Sequence, residues 1–351
     1  MPPPITDLIG SSWQPFYIAE SYTADLTLPM QPAPDDIVDQ VDSVWNPSDR
    51  VPEKLSLTSS CQLPLAPKLA LTMPRTRQSR PLSDIISSRL QFAIDVLKRT
   101  PSMMVLENRT PWCHPQLYKN YMPKAMQDAY ACCSLYMSKN EINAPVIMSL
   151  LDARTQELLL SPQPTHFLDL LARTHALILF QIMRLFDGDI RSHTTANALL
   201  GTLESTVMAL FDFTHLPNIS ESYNLLPMDP IFEFWESWVV QESARRTILL
   251  AFYFIQICKV LHGNVPMQCD GRLGLAHAWY LSSHLWDAQS AFDFAIAWAE
   301  KQHFVVHDLD FSFALENANP DDMDLFGKML LVTILGIDEA KAWFCLRGAV
   351  M

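Results

Sequence analysis

The stretch that decides the fold is residues 235–247, WESWVVQESARRT, which opens a long apolar run ending near Leu261. Trp235 and Trp238 stand three positions apart, so they share one face of a helix. The block contains no metal-ligand spacing, no nucleophile motif and no phosphate-binding loop. We therefore expect it to build structure rather than to carry out chemistry.

Charged residues in the same block allow two interpretations. Glu242 precedes Arg245 by three positions and Arg246 by four, so on a helix it can pair with either. A carboxylate beside two arginines could form a catalytic acid with an anion clamp, but an intrahelical ion pair is the simpler interpretation. We assign no catalytic, cofactor or metal site. The predicted structural signature consists of Trp235, Trp238, Glu242, Arg245 and Arg246.

Composition favours an all-α, multi-helix domain with one core. Half of the 351 residues are hydrophobic and only 18% are charged, which is enough apolar material for a sizeable core. With only nine glycines, the chain is poor in the residue that Rossmann folds, phosphate loops and β-rich barrels require. Seven cysteines without any C-x-x-C spacing indicate a reducing compartment, and Cys132, Cys133 and Cys258 are expected to be buried.

The formal net charge of −13 disfavours a chain that binds DNA by itself, because duplex DNA is densely negative. The N-terminus has no basic region followed by an apolar one, so we expect no signal peptide. The apolar run after residue 247 is too short to span a bilayer. We expect a soluble intracellular protein that does not contact membranes.

Two segments are predicted, with a boundary after residue 81. Residues 1–81 are acidic and rich in proline, and we expect them to be disordered or loosely packed, with little regular structure. Residues 34–45, PDDIVDQVDSVW, suit either an acidic activation segment or an ordinary solvated tail. Residues 75–80, RTRQSR, suit a nuclear-import signal or a linker. Residues 82–351 form the predicted helical domain.

Helical periodicity begins at residue 82, where Ser83 is expected to cap a helix and Asp84 to lie in its first turn. Pro123 and Pro145 are each placed where a helix can begin. No alternating strand pattern is present, and residues 213–229 are expected to form a loop. Further helices are predicted at residues 124–138, 145–160, 165–186, 194–212, 231–261, 272–300 and 321–346.

Three groups of residues contain candidate metal ligands. His303 and His307 have i, i+4 spacing, but the residues between them suit an extended connection. His277 and His284 are predicted to share a helix face as core or surface residues. The run from Asp321 to Asp324 has the spacing D-D-x-D rather than the D-D-x-x-D of magnesium-diphosphate enzymes, so helix capping is expected. We predict no metal and no cofactor.

The 235–247 block resembles the central helix of the middle homology domain of fungal zinc-cluster transcription factors. Further segments are similar to that family in the same order, and together they cover about residues 90–347. These segments are PWCHP (111–115), PQLY (115–118), PKAMQDA (123–129), FDGDIR (186–191), LWDA (285–288), NPDDMDLFG (319–327) and LGIDE (335–339), the last two within the region from Phe311 to Trp343.

The resemblance implies a nuclear, all-helical regulatory domain that usually follows a six-cysteine binuclear zinc cluster. Residues 1–112 contain one cysteine, Cys61, so the cluster is absent from this sequence, either naturally or because an upstream exon is missing. We expect a non-enzymatic transcriptional regulator of a fungal secondary-metabolite gene cluster. Expected partners are proteins of the transcription machinery or a DNA-binding regulator, with a homodimer as a further option. The alternative is an all-α accessory protein or enzyme of such a cluster.

Overall fold

Helices form most of the regular structure in the computed structural model, which describes residues 82–186, 190–214, 229–262 and 278–351. The fold is all-α, as the composition predicted, and the described residues share one contiguous hydrophobic core. The helices are α1 (Leu82–Ile85), α2 (Gln91–Glu107), α3 (Lys124–Met137), α4 (Ala144–Leu160), α5 (Phe167–Leu185), α6 (Ile190–Ala198), α7 (Leu200–Phe211), α8 (Asp229–Leu261), α9 (Ser283–Trp286), α10 (Ala291–Glu300), α11 (Ser312–Asn317), α12 (Leu325–Leu335) and α13 (Ile337–Leu346). One π-helical turn, Ile86–Leu90, joins α1 to α2, and a 3₁₀ turn, Pro320–Asp322, precedes α12.

Helix α5 lies at the centre of the fold. Every residue from Leu170 to Leu185 is buried, and the helix packs against α2, α3, α4, α6, α7 and α8. A helix that is surrounded on all sides has no need of a polar face, and its sequence is accordingly apolar around most of its circumference. The polar residues that it does bury therefore require partners.

Helix α8 is the longest element, with 33 residues, which corresponds to a length of about 50 Å. It contains the 235–247 block and packs against α5, α7, α10 and a short strand. Burial is continuous from Glu242 to Ile255, so this part of α8 is enclosed by the core. No helix in the described ranges combines the length and apolarity needed to cross a membrane.

The predicted helix over residues 272–300 is wrong for the part that the structure describes. Strand β1 (Ala278–Tyr280) pairs antiparallel with β2 (Val305–His307), with Trp279 opposite Val306, and only then do α9 and α10 follow. The pairing continues beyond the strands, because Leu281 N donates to Phe304 O at 2.7 Å. Aromatic residues suit strands, but the partner strand is more than twenty residues away, beyond the reach of local periodicity. His277 lies outside the described residues, and a shared helix face with His284 is excluded by β1.

Two other predicted helices are each divided. Residues 194–212 are split at Leu199 into α6 and α7, and residues 321–346 are split at Gly336 into α12 and α13. Gly336 has a φ of 102°, which helical residues cannot adopt, and it ends α12. The helix at residue 82 begins one residue earlier than expected, so Ser83 lies within its first turn and is not the cap.

Most of the other helix predictions are confirmed to within two residues. Pro123 precedes α3 and Pro145 lies in the first turn of α4, as the sequence indicated. Cys132, Cys133 and Cys258 are buried. The predictions for residues 1–81, including the domain boundary, the activation segment and the basic run, lie outside the described residues, as does most of the predicted loop at 213–229. These remain predictions.

Candidate functional site

Arg246, on α8, is the centre of a buried cluster of charged residues. Its guanidinium is fully enclosed, with 0% exposure. Nε donates to Glu242 Oε1 at 2.9 Å, and Nη2 donates to Tyr280 O at 2.9 Å. Nη1 donates to Asp324 Oδ2 at 2.5 Å and to Pro111 O at 3.2 Å. One side chain thus links α8 to β1, to the start of α12 and to the loop after α2.

Glu242 is equally enclosed, and each of its carboxylate oxygens accepts two hydrogen bonds. Oε1 accepts from Arg246 Nε and from the backbone N–H of Tyr280 at 3.0 Å. Oε2 accepts from Arg245 Nε at 3.1 Å and from Nη2 at 2.8 Å. The sequence indicated that Glu242 could pair with either arginine; in the structure it pairs with both. Together with Asp324, two carboxylates balance two guanidiniums, which compensates for their desolvation.

Aromatic rings enclose the arginine. The guanidinium carbon of Arg246 lies 3.8 Å from the ring centroid of Trp286, and the rings of Trp279 and Phe326 are within 5.5 Å and 5.3 Å. A planar guanidinium stacks on aromatic faces, where a lysine ammonium would lose both the stacking and the forked hydrogen bonds. The cluster therefore requires arginine specifically.

The two tryptophans of the 235–247 block lie beside this cluster and are both buried. Trp238 contacts Phe294, with 5.0 Å between ring centroids, and Trp235 meets the His114 ring edge-on at 6.5 Å. Burial, with a smaller contribution from the charge of Arg246, lowers the pKa of His114 to about 3. His114 is therefore a neutral core residue at physiological pH.

The acidic run near residue 321 caps helices, as the sequence predicted. Asp322 accepts from the backbone N–H of Asn319 at 2.8 Å, as part of a capping box around the 3₁₀ turn. Asp324 caps α12 by accepting from Gly327 N at 2.8 Å. The pairing of Asp324 with Arg246 was not predicted, because nothing in the sequence links these two positions.

A series of buried hydrogen bonds connects α8 to α5, and the sequence did not predict it. Tyr118 Oη lies 2.9 Å from His175 Nδ1, and His175 Nε2 lies 2.7 Å from Thr247 Oγ1. Thr247 donates to Ser243 O, so its hydroxyl oxygen accepts from His175 Nε2, and His175 Nδ1 accepts from Tyr118. Burial lowers the pKa of His175 to about 3, which agrees with a neutral imidazole.

Neither buried cluster is arranged for catalysis. Their charged and polar groups bind one another, and the groups at their centres are closed to solvent. The clusters stabilise the positions of helices and strands.

The candidate metal ligands His303 and His307 lie in an extended segment, as the sequence indicated. His303 precedes β2, and His307 is the last residue of that strand. Within the described ranges, no three histidine, cysteine or acidic side chains are grouped to hold a metal ion.

An open cavity of about 310 Å³ lies beside α3, α4 and α5. Lys124 bridges Asp128 at 2.6 Å and Glu157 at 3.1 Å, while Arg154 bridges Glu157 at 2.5 Å. The hydrogen bond with Asp128 raises the pKa of Lys124, and the one with Lys124 lowers the pKa of Glu157. The charged side chains that line the cavity are Lys124, Asp128, Arg154, Glu157, Asp169 and Arg173.

Comparison with known proteins gives one informative relative. Over 265 residues the sequence is 27% identical to "Transcription factor gsfR2" of Penicillium aethiopicum, an alignment that covers 73% of this chain. The chain matches about 62% of the length of that relative. No family model matches the sequence, and no solved structure matches it. The chain is therefore similar to a fungal transcription factor, as the resemblance predicted, while the zinc-cluster type stays a prediction.

Proposed function

We propose that the chain is a transcriptional regulator of a fungal secondary-metabolite biosynthetic gene cluster and that it acts through its helical domain, residues 82–351. The observation that carries this proposal is the similarity to a fungal transcription factor over 265 aligned residues. The geometry supports a structural rather than a catalytic role for the 235–247 block, because its charged residues pair with one another and are enclosed. In this proposal Trp235, Trp238, Glu242, Arg245 and Arg246 are the scaffold of the domain.

The proposed site of action is the nucleus, and the proposed partners are proteins. Candidates are components of the transcription machinery or a separate DNA-binding regulator, and self-association into a homodimer is a further option. The formal net charge of −13 and the absence of a six-cysteine module from these 351 residues argue against specific DNA binding by this polypeptide alone. A footprint on promoter DNA that persists at physiological salt would contradict that part of the proposal.

Gene deletion tests the regulatory role. Transcripts of the neighbouring biosynthetic genes should change strongly in the deletion strain, and reintroduction of the wild-type gene should restore them. A strain carrying Arg246→Lys, which removes the forked hydrogen bonds of the core, should resemble the deletion strain, whereas the matched control Arg154→Lys, in an exposed ion pair, should resemble the wild type. Unchanged transcripts together with an unchanged metabolite profile would overturn the proposal.

A second candidate is an all-α accessory protein or enzyme of the same kind of cluster. The cavity beside α3, α4 and α5 favours it, because six charged side chains converge there. Four of those side chains, however, form salt bridges with one another, which leaves little free acid–base capacity. Loss of the metabolite with cluster transcripts intact would favour this candidate over the regulator.

A further inference from the structure

Arg173, on α5, is a buried cation whose charge has no acidic counterpart among the described residues. The residue is only 7% exposed, and its hydrogen-bond acceptors are both on Ser161. Nη1 donates to the Ser161 backbone oxygen at 3.3 Å and to its hydroxyl oxygen at 2.6 Å. Neutral acceptors orient a guanidinium without compensating its charge, so the partly desolvated positive charge remains a cost to folding.

The other cations of the cavity are already neutralised. Lys124 and Arg154 lie against Asp128 and Glu157 at salt-bridge distances of 2.5–3.1 Å. Arg173 is the cation that remains available to an incoming anion. Its pKa is lowered by burial, which reflects the same uncompensated charge.

Asp169, the third acidic residue of the cavity, limits the negative charge that a ligand can carry. Asp169 lies four positions before Arg173 and accepts from Tyr121 Oη at 3.5 Å rather than from the guanidinium. The six charged lining residues contribute three positive and three negative charges. A cavity with no net positive charge does not attract a polyanion, so phosphate-rich ligands are disfavoured. A monoanion that contacts Arg173 directly is compatible with this balance.

The cavity walls provide an apolar surface of limited size. Leu158 and Phe180 line it together with the ring of Tyr121. Its volume of about 310 Å³ is at the lower end of the range of about 300–1,000 Å³ for small-molecule sites. A ligand body of one or two rings fits that volume, with its acidic group at Arg173.

We propose that this cavity binds a small aromatic organic acid, with its ring system against Leu158, Phe180 and Tyr121 and its single carboxylate or ionised phenol on Arg173. Both contacts with Ser161 come from Nη1, so Nε and Nη2 of Arg173 are left for a two-pronged contact with a planar carboxylate. As an effector site this rests on the proposed regulatory function, whereas the binding itself does not depend on it. A bound acid supplies a counter-charge to Arg173, whose acceptors on Ser161 are both neutral.

Binding is tested by calorimetry on the full chain with two probes, 2-naphthoate and the uncharged 2-naphthylmethanol. The wild-type protein should bind the acid about tenfold or more tightly than the alcohol, since a hydrogen bond to a charged group contributes that much. Arg173→Gln should weaken binding of the acid by about tenfold or more and remove the preference for it. The matched control is Arg99→Gln, which removes an exposed cation of α2 that does not line the cavity and should leave binding within about threefold.

Folding of the variants is measured by thermal unfolding. Because Arg173→Gln removes an uncompensated buried charge, its unfolding midpoint should equal or exceed that of the wild type in the absence of probe. A second variant, Ala125→Leu, keeps every charge, but its larger side chain occupies part of the cavity. This variant should also fail to bind 2-naphthoate. The proposal is overturned if the wild type binds neither probe at millimolar concentration or shows no preference for the acid. It is also overturned if Arg173→Gln or Ala125→Leu still binds the acid more tightly than the alcohol.

Gene deletion tests the regulatory role, and calorimetry tests ligand binding, so the two can fail separately. Unchanged transcripts after gene deletion would remove the regulatory role and leave the calorimetric result intact. Altered transcripts with no binding of the acid would remove the effector site and leave the regulatory role intact.

Discussion

Arg246 and Asp324 form a buried ion pair, with 2.5 Å between Nη1 and Oδ2, although 78 residues separate them in the chain. Neither side chain is more than 4% exposed. Asp324 uses its other oxygen to cap α12 through Gly327 N. One carboxylate therefore starts a helix and attaches that helix to the middle of α8, so the loss of either function can be measured separately.

Asp324→Ser separates these two functions. Serine still accepts from Gly327 N as a helix cap, but it leaves Arg246 without one of its two carboxylate partners. The free energy of unfolding should fall by about 3 kcal/mol, as when one partner of a buried pair is removed. Asp322→Ser in the neighbouring capping box should cost about 1 kcal/mol. Equal losses in urea denaturation would show that the buried ion pair contributes no more than the single capping hydrogen bond of Asp322.

Arg246→Lys tests whether the core requires a guanidinium rather than a positive charge. Lysine keeps the charge but cannot reach the acceptors on Glu242, Asp324 and Tyr280 together, and it loses stacking on Trp286. We expect a loss of about 3 kcal/mol in the free energy of unfolding by urea denaturation.

The control for this substitution is Arg154→Lys, in the surface ion pair with Glu157. That change should stay within about 0.5 kcal/mol of the wild type, because exposed pairs contribute little. Similar losses in both variants would mean that the enclosure of Arg246 does not strengthen its contacts.

Local sequence signals predicted the elements that depend on local physics. The prolines at the starts of α3 and α4 and the long apolar runs of α5 and α8 were sufficient to locate these helices, since both signals lie within one segment. The i, i+3 and i, i+4 contacts of Glu242 were also visible, because they lie within a single helix.

Contacts between distant segments could not be predicted in this way. The pairing of β1 with β2 replaced part of a predicted helix, because the strand depends on a partner more than twenty residues away. The ion pair of Arg246 with Asp324 and the chain from Tyr118 to His175 likewise join segments that only the tertiary fold brings together. The burial of Arg173 without an acidic partner likewise depends on the tertiary fold.

Gly336 and Gly201 form a matched pair for backbone strain. Gly336 has a φ of 102°, and an added Cβ would lie 2.8 Å from Glu339 Oε2, so Gly336→Ala should destabilise the protein by about 1–2 kcal/mol. Gly201 lies in the first turn of α7 with open space around it, so Gly201→Ala should raise stability by about 0.5 kcal/mol. Urea denaturation of both variants would show opposite signs. The same sign in both would contradict the assignment of Gly336 as the break between α12 and α13.

Acid should destabilise the protein through His175. Its pKa is about 3 in the folded chain, against about 6.5 when unfolded. Below pH 6.5 the unfolded chain therefore binds a proton that the folded chain does not, so the free energy of unfolding falls as the pH falls. Between pH 6.5 and 5 this histidine should account for about 2 kcal/mol of lost stability. His175→Gln should make the pH dependence shallower by that amount, even though it lowers stability at neutral pH. The exposed His166→Gln is the control, and an unchanged pH slope for His175→Gln would show that His175 takes up its proton in the folded state.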